Sequence, residues 1–248
     1  MIIRSILFLI FLLTSAGCAS AHDTKAYQPK AFIQIHTVIT SKLCRNNETT
    51  QTSQCMEAVF GSYGSGSVIK HIRDKTFILT AGHVCHVSVP EHIKDSMINY
   101  EIDFFIRGHN NKKYKAEVHK IADGFVNGGG NDLCLLKTNR LDLPALRLSS
   151  GAPKPGERVY SMSAPVGVYY APSALYLSGN YSGLMPTMNK HHALISIPAI
   201  GGSSGSAVLN SHGKVVGVIF AVNPNFRNLT IMVRYKSLKD FLDEHLKI

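Results

Sequence analysis

The sequence predicts an all-β protein: two six-stranded Greek-key β-barrels followed by a short C-terminal helix. Short apolar runs rich in Ile, Val, Tyr and Phe recur along residues 31–234, each bounded by Gly, Pro, Asn or Asp. Strands separated by turns read this way. The runs fall into two sets of about six, one on either side of the Pro- and Gly-bearing segment 149–156, and six short strands suffice to close a small barrel and remove its edges. Residues 237–248 change period: Leu238, Phe241, Leu242 and Leu246 recur at helical spacing, which makes one apolar stripe.

Taken in order, residues 1–21 read as a signal peptide. A single cation, Arg4, precedes the uncharged run Ser5 to Leu13 and the small residues Ser15, Ala16 and Gly17. The run is shorter than the ~20 residues a membrane-crossing helix needs. Ser15-Ala16-Gly17-Cys18 resembles the lipobox of bacterial lipoproteins, in which residues 1–17 are removed and Cys18 becomes the lipidated first residue. Ala19-Ser20-Ala21 offers a rival cleavage site that releases the protein free of lipid. The expected location is outside the cytoplasm, either secreted or lipid-anchored in the bacterial cell envelope.

The first barrel is expected over 27–148, with strands near 31–40, 66–71, 76–80, 100–107, 114–122 and 133–138. The second is expected over 149–236, with strands near 158–163, 174–182, 192–197, 207–209, 215–222 and 230–234. The helix takes 237–248, capped by Ser237 with Asp240 three residues on, the spacing of a helix start. Five cysteines is an odd number, and lipid on Cys18 leaves four. Cys44 and Cys55 bracket a polar loop, Arg45 to Gln54, that a disulfide could staple in an oxidising compartment. Cys85 and Cys134 sit in apolar contexts, as free buried thiols or as a bridge.

Composition narrows the function. With 45% hydrophobic and 17% charged residues the chain builds a real core. A net charge of +10 would attract anionic lipid, cell-wall polymer or acidic proteins, but ordinary solubility is the favoured reading of it, and no basic cluster with interleaved aromatics points to nucleic acid.

Chemistry concentrates in three places, in the order His, Asp, Ser. Thr80-Ala81-Gly82-His83 follows an apolar run; Asp132 opens the apolar stretch Leu133 to Leu136; and Gly201-Gly202-Ser203-Ser204-Gly205-Ser206 forms a tight turn between apolar runs. Glycines let successive backbone amides converge on one point, where an oxyanion would form. These motifs resemble those of trypsin-like (chymotrypsin-fold) serine proteases, in texture the bacterial HtrA-type and glutamyl-endopeptidase-type branches. Pro155 to Tyr160, Pro165-Val166-Gly167 and Gly213 to Ile219 are weaker echoes.

The resemblance implies that Ser204 is the nucleophile, His83 the general base and Asp132 the group that orients the imidazole, with the N–H groups of Gly202 and Ser204 as the oxyanion hole. It also implies a protein or peptide substrate, an acyl-enzyme intermediate, and no metal or organic cofactor. His83, Cys85 and His86 complete no four-ligand zinc pattern. Asp123 is a weaker rival to Asp132, since a turn rather than an apolar strand follows it, and of the three serines only Ser204 has the family's glycine two residues before it and glycine one after.

Several positions depart from the family. Ser203 stands where many relatives carry the Asp that pairs with a freshly cut N-terminus, so activation by that route is not expected. HtrA-type enzymes carry a peptide-binding domain after the protease; the sequence stops at Ile248 and none is expected. Ala199, Phe220 and Ala221 are the candidate lining of the pocket for the residue before the scissile bond, which favours an apolar or small side chain there. The reading is an exported serine endopeptidase. A catalytically silent relative that binds extended polypeptide, and an envelope lipoprotein for adhesion or scaffolding, are the alternatives; the oligomeric state is left open.

Overall fold

A computed structural model describes residues 27–47, 52–87, 97–125, 131–185, 192–223, 226 and 228–248. The signal segment, Cys18 and both cleavage sites lie outside them. Twelve strands form two closed antiparallel barrels. The first is built of β1 (Phe32–Asn47), β2 (Thr52–Ile72), β3 (Lys75–Thr80), β4 (Met97–Arg107), β5 (Lys113–Ile121) and β6 (Cys134–Asn139). The second holds β7 (Arg158–Ser163), β8 (Leu175–Leu184), β9 (His192–Ile195), β10 (Ala207–Leu209), β11 (Val215–Val222) and β12 (Thr230–Val233). A one-turn helix, α1 (Gly82–Cys85), follows β3, and α2 (Tyr235–Leu246) ends the fold. The barrels share one topology, β1-β2-β3-β6-β5-β4 and β7-β8-β9-β12-β11-β10 around each ring.

Three cores explain why some strands alternate and others are apolar throughout. Ile33, Ile35, Ile78, Cys134 and Leu136 fill the first barrel, and Val208, Val216, Ile219 and Met232 fill the second. Phe32, Phe77, Leu79, Leu133 and Leu135 point the opposite way, into a seam shared with Leu209, Val215 and Val218 of the second barrel. Successive residues of a strand face opposite sides, so Phe77 to Leu79 of β3 and Leu133 to Leu136 leading into β6, buried on both faces, read as continuous apolar runs. α2 adds Leu238, Phe241, Leu242 and Leu246 to the same seam, each contributing roughly 1.5–3 kcal/mol by leaving water.

Two expectations are corrected. The helix begins at Tyr235 behind Arg234, with no side-chain cap; Ser237 lies inside it, buried at 4% exposure. The apolar stripe pulls the first turn onto the seam, and the hydroxyl of Tyr235 holds that turn by donating to the Ser149 carbonyl at 2.7 Å. The segment between Cys44 and Cys55 is not a free loop: β1 and β2 continue as a ribbon in which Cys44 faces Cys55 in register, joined by a disulfide. Residues 48–51 are outside the described residues. Among those described, no helix is long and apolar enough to cross a membrane.

Candidate active site

His83 is presented by α1, directly after β3, and Asp132 lies just before β6, the strand paired with β3. The His83 backbone N–H donates to Oδ1 of Asp132 at 2.9 Å, and its ring Nδ1 lies 2.8 Å from Oδ2. A carboxylate only accepts, so Nδ1 carries the proton and Nε2 keeps its lone pair. The Asp132 side chain is 12% exposed and that of His83 40%, so the pair is sheltered on the carboxylate side and open on the imidazole side. Gly82 makes room for this contact: a Cβ there would stand 3.0 Å from Oδ1 and 3.1 Å from the Phe125 ring.

Cys85 and Cys134 are bridged, with Cα atoms 6.4 Å apart. Of the two states left open by the sequence, the protein adopts the bridge. It ties the helix that carries His83 to the strand that follows Asp132, and it removes Cys85 as a thiolate for metal. His86 packs its ring edge-on to Phe125. Asp123 is exposed on the surface and bonded to Lys120 at 2.6 Å; the neighbouring ammonium holds its carboxyl below the usual range.

The turn at 201–206 is anchored through its carbonyls. That of Gly201 accepts from the Val166 N–H at 2.6 Å and that of Ser203 from the Ser206 N–H at 3.1 Å. Ser65 contributes twice: its hydroxyl donates to the Gly202 carbonyl at 2.8 Å, and its N–H donates to the Ser204 carbonyl at 2.8 Å. In a trans peptide the N–H points opposite the preceding carbonyl. The N–H groups of Gly202 and Ser204 therefore point away from the anchors at Val166 and Ser206. Gly202 and Gly205 have φ of +91° and +89°, and a Cβ on Gly205 would fall 2.0 Å from the Ser65 carbonyl oxygen. Both positions require glycine. The three serines separate cleanly: Ser203 and Ser206 are buried at 2% and 0%, while Ser204 is half-exposed.

The sequence profile of the trypsin-like peptidase domain matches residues 64–218, which include His83, Asp132 and Ser204. The chain belongs to the trypsin-like peptidase family. Comparison with curated protein sequences gave no match. Similar solved structures include a serine endoprotease from Yersinia pestis, at 15% identity and a TM-score of 0.62, covering 91% of this chain and 65% of that one. The Rv3671c protease of M. tuberculosis, in its active form, is similar at 16% identity and a TM-score of 0.62, covering 91% and 84%. The HtrA-type protease AlgW, solved with a decapeptide, is similar at 15% identity and a TM-score of 0.59, covering 91% and 67%. At these identities the likeness is one of fold.

In this trypsin-like peptidase the candidate pocket residues Ala199, Phe220 and Ala221 are all half-buried, with the Phe220 ring centred 4.6 Å from that of His192. β11 flanks the serine turn, since Gly205 N–H donates to the Ile219 carbonyl at 2.7 Å. Two supports escaped the sequence reading. Ser65 was visible only as part of Gly64-Ser65-Gly66, and its hydroxyl also accepts from the Ala164 N–H at 3.0 Å. Val166 has φ of 47°, a costly conformation for a β-branched residue, and it is the residue that grips Gly201. Its one signal was the weak Pro165-Val166-Gly167 echo.

Proposed function

We propose that this trypsin-like peptidase is an exported serine endopeptidase that cleaves peptide bonds through an acyl-enzyme. His83 takes the Ser204 hydroxyl proton through Nε2 as the oxygen attacks the carbonyl, then delivers it to the leaving amine. Asp132 fixes the imidazole tautomer and stabilises the imidazolium. The N–H groups of Gly202 and Ser204 receive the oxyanion, each donor worth ~3 kcal/mol of barrier. The supporting observation is the double grip of the Asp132 carboxylate on the His83 backbone and ring, which leaves Nε2 as the free base. The pocket bounded by Ala199, Phe220 and Ala221 takes a small or apolar side chain before the scissile bond.

Export is supported by the two disulfides, which persist in oxidising compartments. They use four of the five cysteines and leave Cys18 as the residue for lipid. The test is labelling of the purified protein with a fluorophosphonate probe, with Ser204→Ala as control. Labelling of the wild type alone is expected; a folded wild type that does not label would move the reading to a silent polypeptide-binding relative.

A further inference from the structure

A cleft adjoins the serine turn by way of the turn 164–167. β11 holds Gly205 from one side, while Ser65 and the turn 164–167 hold Gly201, Gly202 and Ser204 from the other. On the peptidase reading above, a polypeptide crossing Ser204 would run from the first side to the second. With Ala199, Phe220 and Ala221 taking the residue before the scissile bond, the second side receives the residues after it.

A cleft of about 120 Å³ opens there, lined by Gln34, His36, Tyr63, Arg107, Lys113 and Gly167 among others. It is joined to the serine turn through Gly167. A Cβ on Gly202 would stand 3.1 Å from the Gly167 nitrogen, and a Cβ on Gly167 would stand 2.6 Å from the Tyr63 ring. The walls are fixed: Gln34 is buried and its amide donates to the Gly167 carbonyl at 2.6 Å, and His36 stacks on Tyr63 with centroids 4.5 Å apart.

None of the described residues lining this cleft is acidic. Arg107 and Lys113 face each other across β4 and β5, and the Lys113 ammonium sits 3.7 Å above the Phe105 ring, held over the cleft by cation–π attraction. Of the two acids further along β4, Asp103 is paired with Lys115 at 2.6 Å and Glu101 is exposed beyond it. The cationic field reaches the wall: His36 is held below its ordinary value by burial and then by the charges of Lys113 and Arg107.

We propose that this cleft recognises acidic side chains, Asp or Glu, in the first few residues after the scissile bond, so that the substrates are polypeptides acidic on the leaving-group side. Tyr63 and His36 give the backbone and side-chain stem a flat aromatic wall, and Arg107 and Lys113 receive the carboxylate. This assignment of sides rests on the peptidase reading above.

The test separates the two. Fluorescent peptides identical before the scissile position, and carrying either two Glu or two Gln after it, are titrated into the Ser204→Ala protein, which binds without turnover. Tighter binding of the Glu peptide by about fivefold to tenfold at low salt is expected, shrinking as salt rises and vanishing in an Arg107→Ala/Lys113→Ala variant that retains its thermal midpoint. Equal affinity for the two peptides, or a preference that survives the double substitution, overturns the proposal. Fluorophosphonate labelling of the otherwise wild-type Arg107→Ala/Lys113→Ala protein reads the serine separately. Its loss in the wild type as well would sink the peptidase reading while leaving the binding result to decide the cleft.

Discussion

Replacing Asp132 with Asn is the sharpest probe of the proposed chemistry, because it changes the size of the side chain hardly at all. Asp132 accepts two hydrogen bonds, from the His83 N–H at 2.9 Å and at Nδ1 at 2.8 Å. An amide has only one acceptor oxygen. If that oxygen keeps the backbone N–H, the amide NH2 faces Nδ1, which must then give up its proton and accept. The imidazole proton moves to Nε2, the atom that has to take the Ser204 proton. If the amide turns over, its NH2 meets the His83 N–H, two donors face each other, and α1 keeps the Cys85–Cys134 bridge but loses its hydrogen bond to residue 132. The first arrangement removes the base; the second keeps its tautomer but loosens its position. The expected cost is about ten-thousandfold in kcat at neutral pH, about 5 kcal/mol of barrier. The assay is hydrolysis of a quenched peptide, with the imidazole 15N shifts reporting the tautomer. A variant within tenfold of wild type, with Nδ1 still protonated, would refute the proposed role of Asp132.

Three further outcomes follow from other contacts. Reducing the Cys85–Cys134 bridge, or making Cys134→Ser, frees a cross-link over a sequence separation of 49; about 4 kcal/mol of stability and most probe labelling of Ser204 are expected to go, read by thermal unfolding and labelling rate. Gly205→Ala puts a Cβ against the Ser65 carbonyl at φ +89°, so loss of folded protein or of labelling is expected in circular dichroism and labelling, whereas Gly151→Ala, with nothing within 4 Å, leaves both unchanged. Tyr169, pushed up to about 12 by burial, has a hydroxyl with no partner among the described residues. Its folded value lies above the unfolded ~10, so its contribution is complete below pH ~10 and is lost as pH rises toward 12. Tyr169→Phe is expected to keep neutral-pH stability and to flatten that alkaline fall, as denaturant titration at both pH values measures.

The motif residues were legible in the sequence because their work depends on near neighbours. Gly82 clears space for a contact made by the adjacent His83, Gly205 supplies the positive φ that the turn beside Ser204 needs, and the unbroken apolar run Leu133 to Leu136 encodes a strand buried on both faces directly after Asp132. The twelve strands were legible for the same reason: the pleat makes side-chain direction a local property. Chain ends and ribbons were less so. Ser237 looks like a cap, yet packing on the seam started α2 at Tyr235, and the polar stretch after Cys44 reads as loop although pairing with β2 extends it as strand.

What the sequence determined by itself is the fold class, two barrels and a helix, and the local geometry of three motifs. Tertiary structure alone decided that Cys85 meets Cys134 and what holds the serine turn. Ser65 and Gly202 are 137 residues apart, and Gln34 and Gly167 are 133 apart. Closing both barrels joins the strands that carry Gln34, Ser65 and Arg107 to the turns that carry Gly167 and Gly202. No periodicity records that juxtaposition, because it is fixed by the seam between the barrels, where packing and not propensity sets which residues meet.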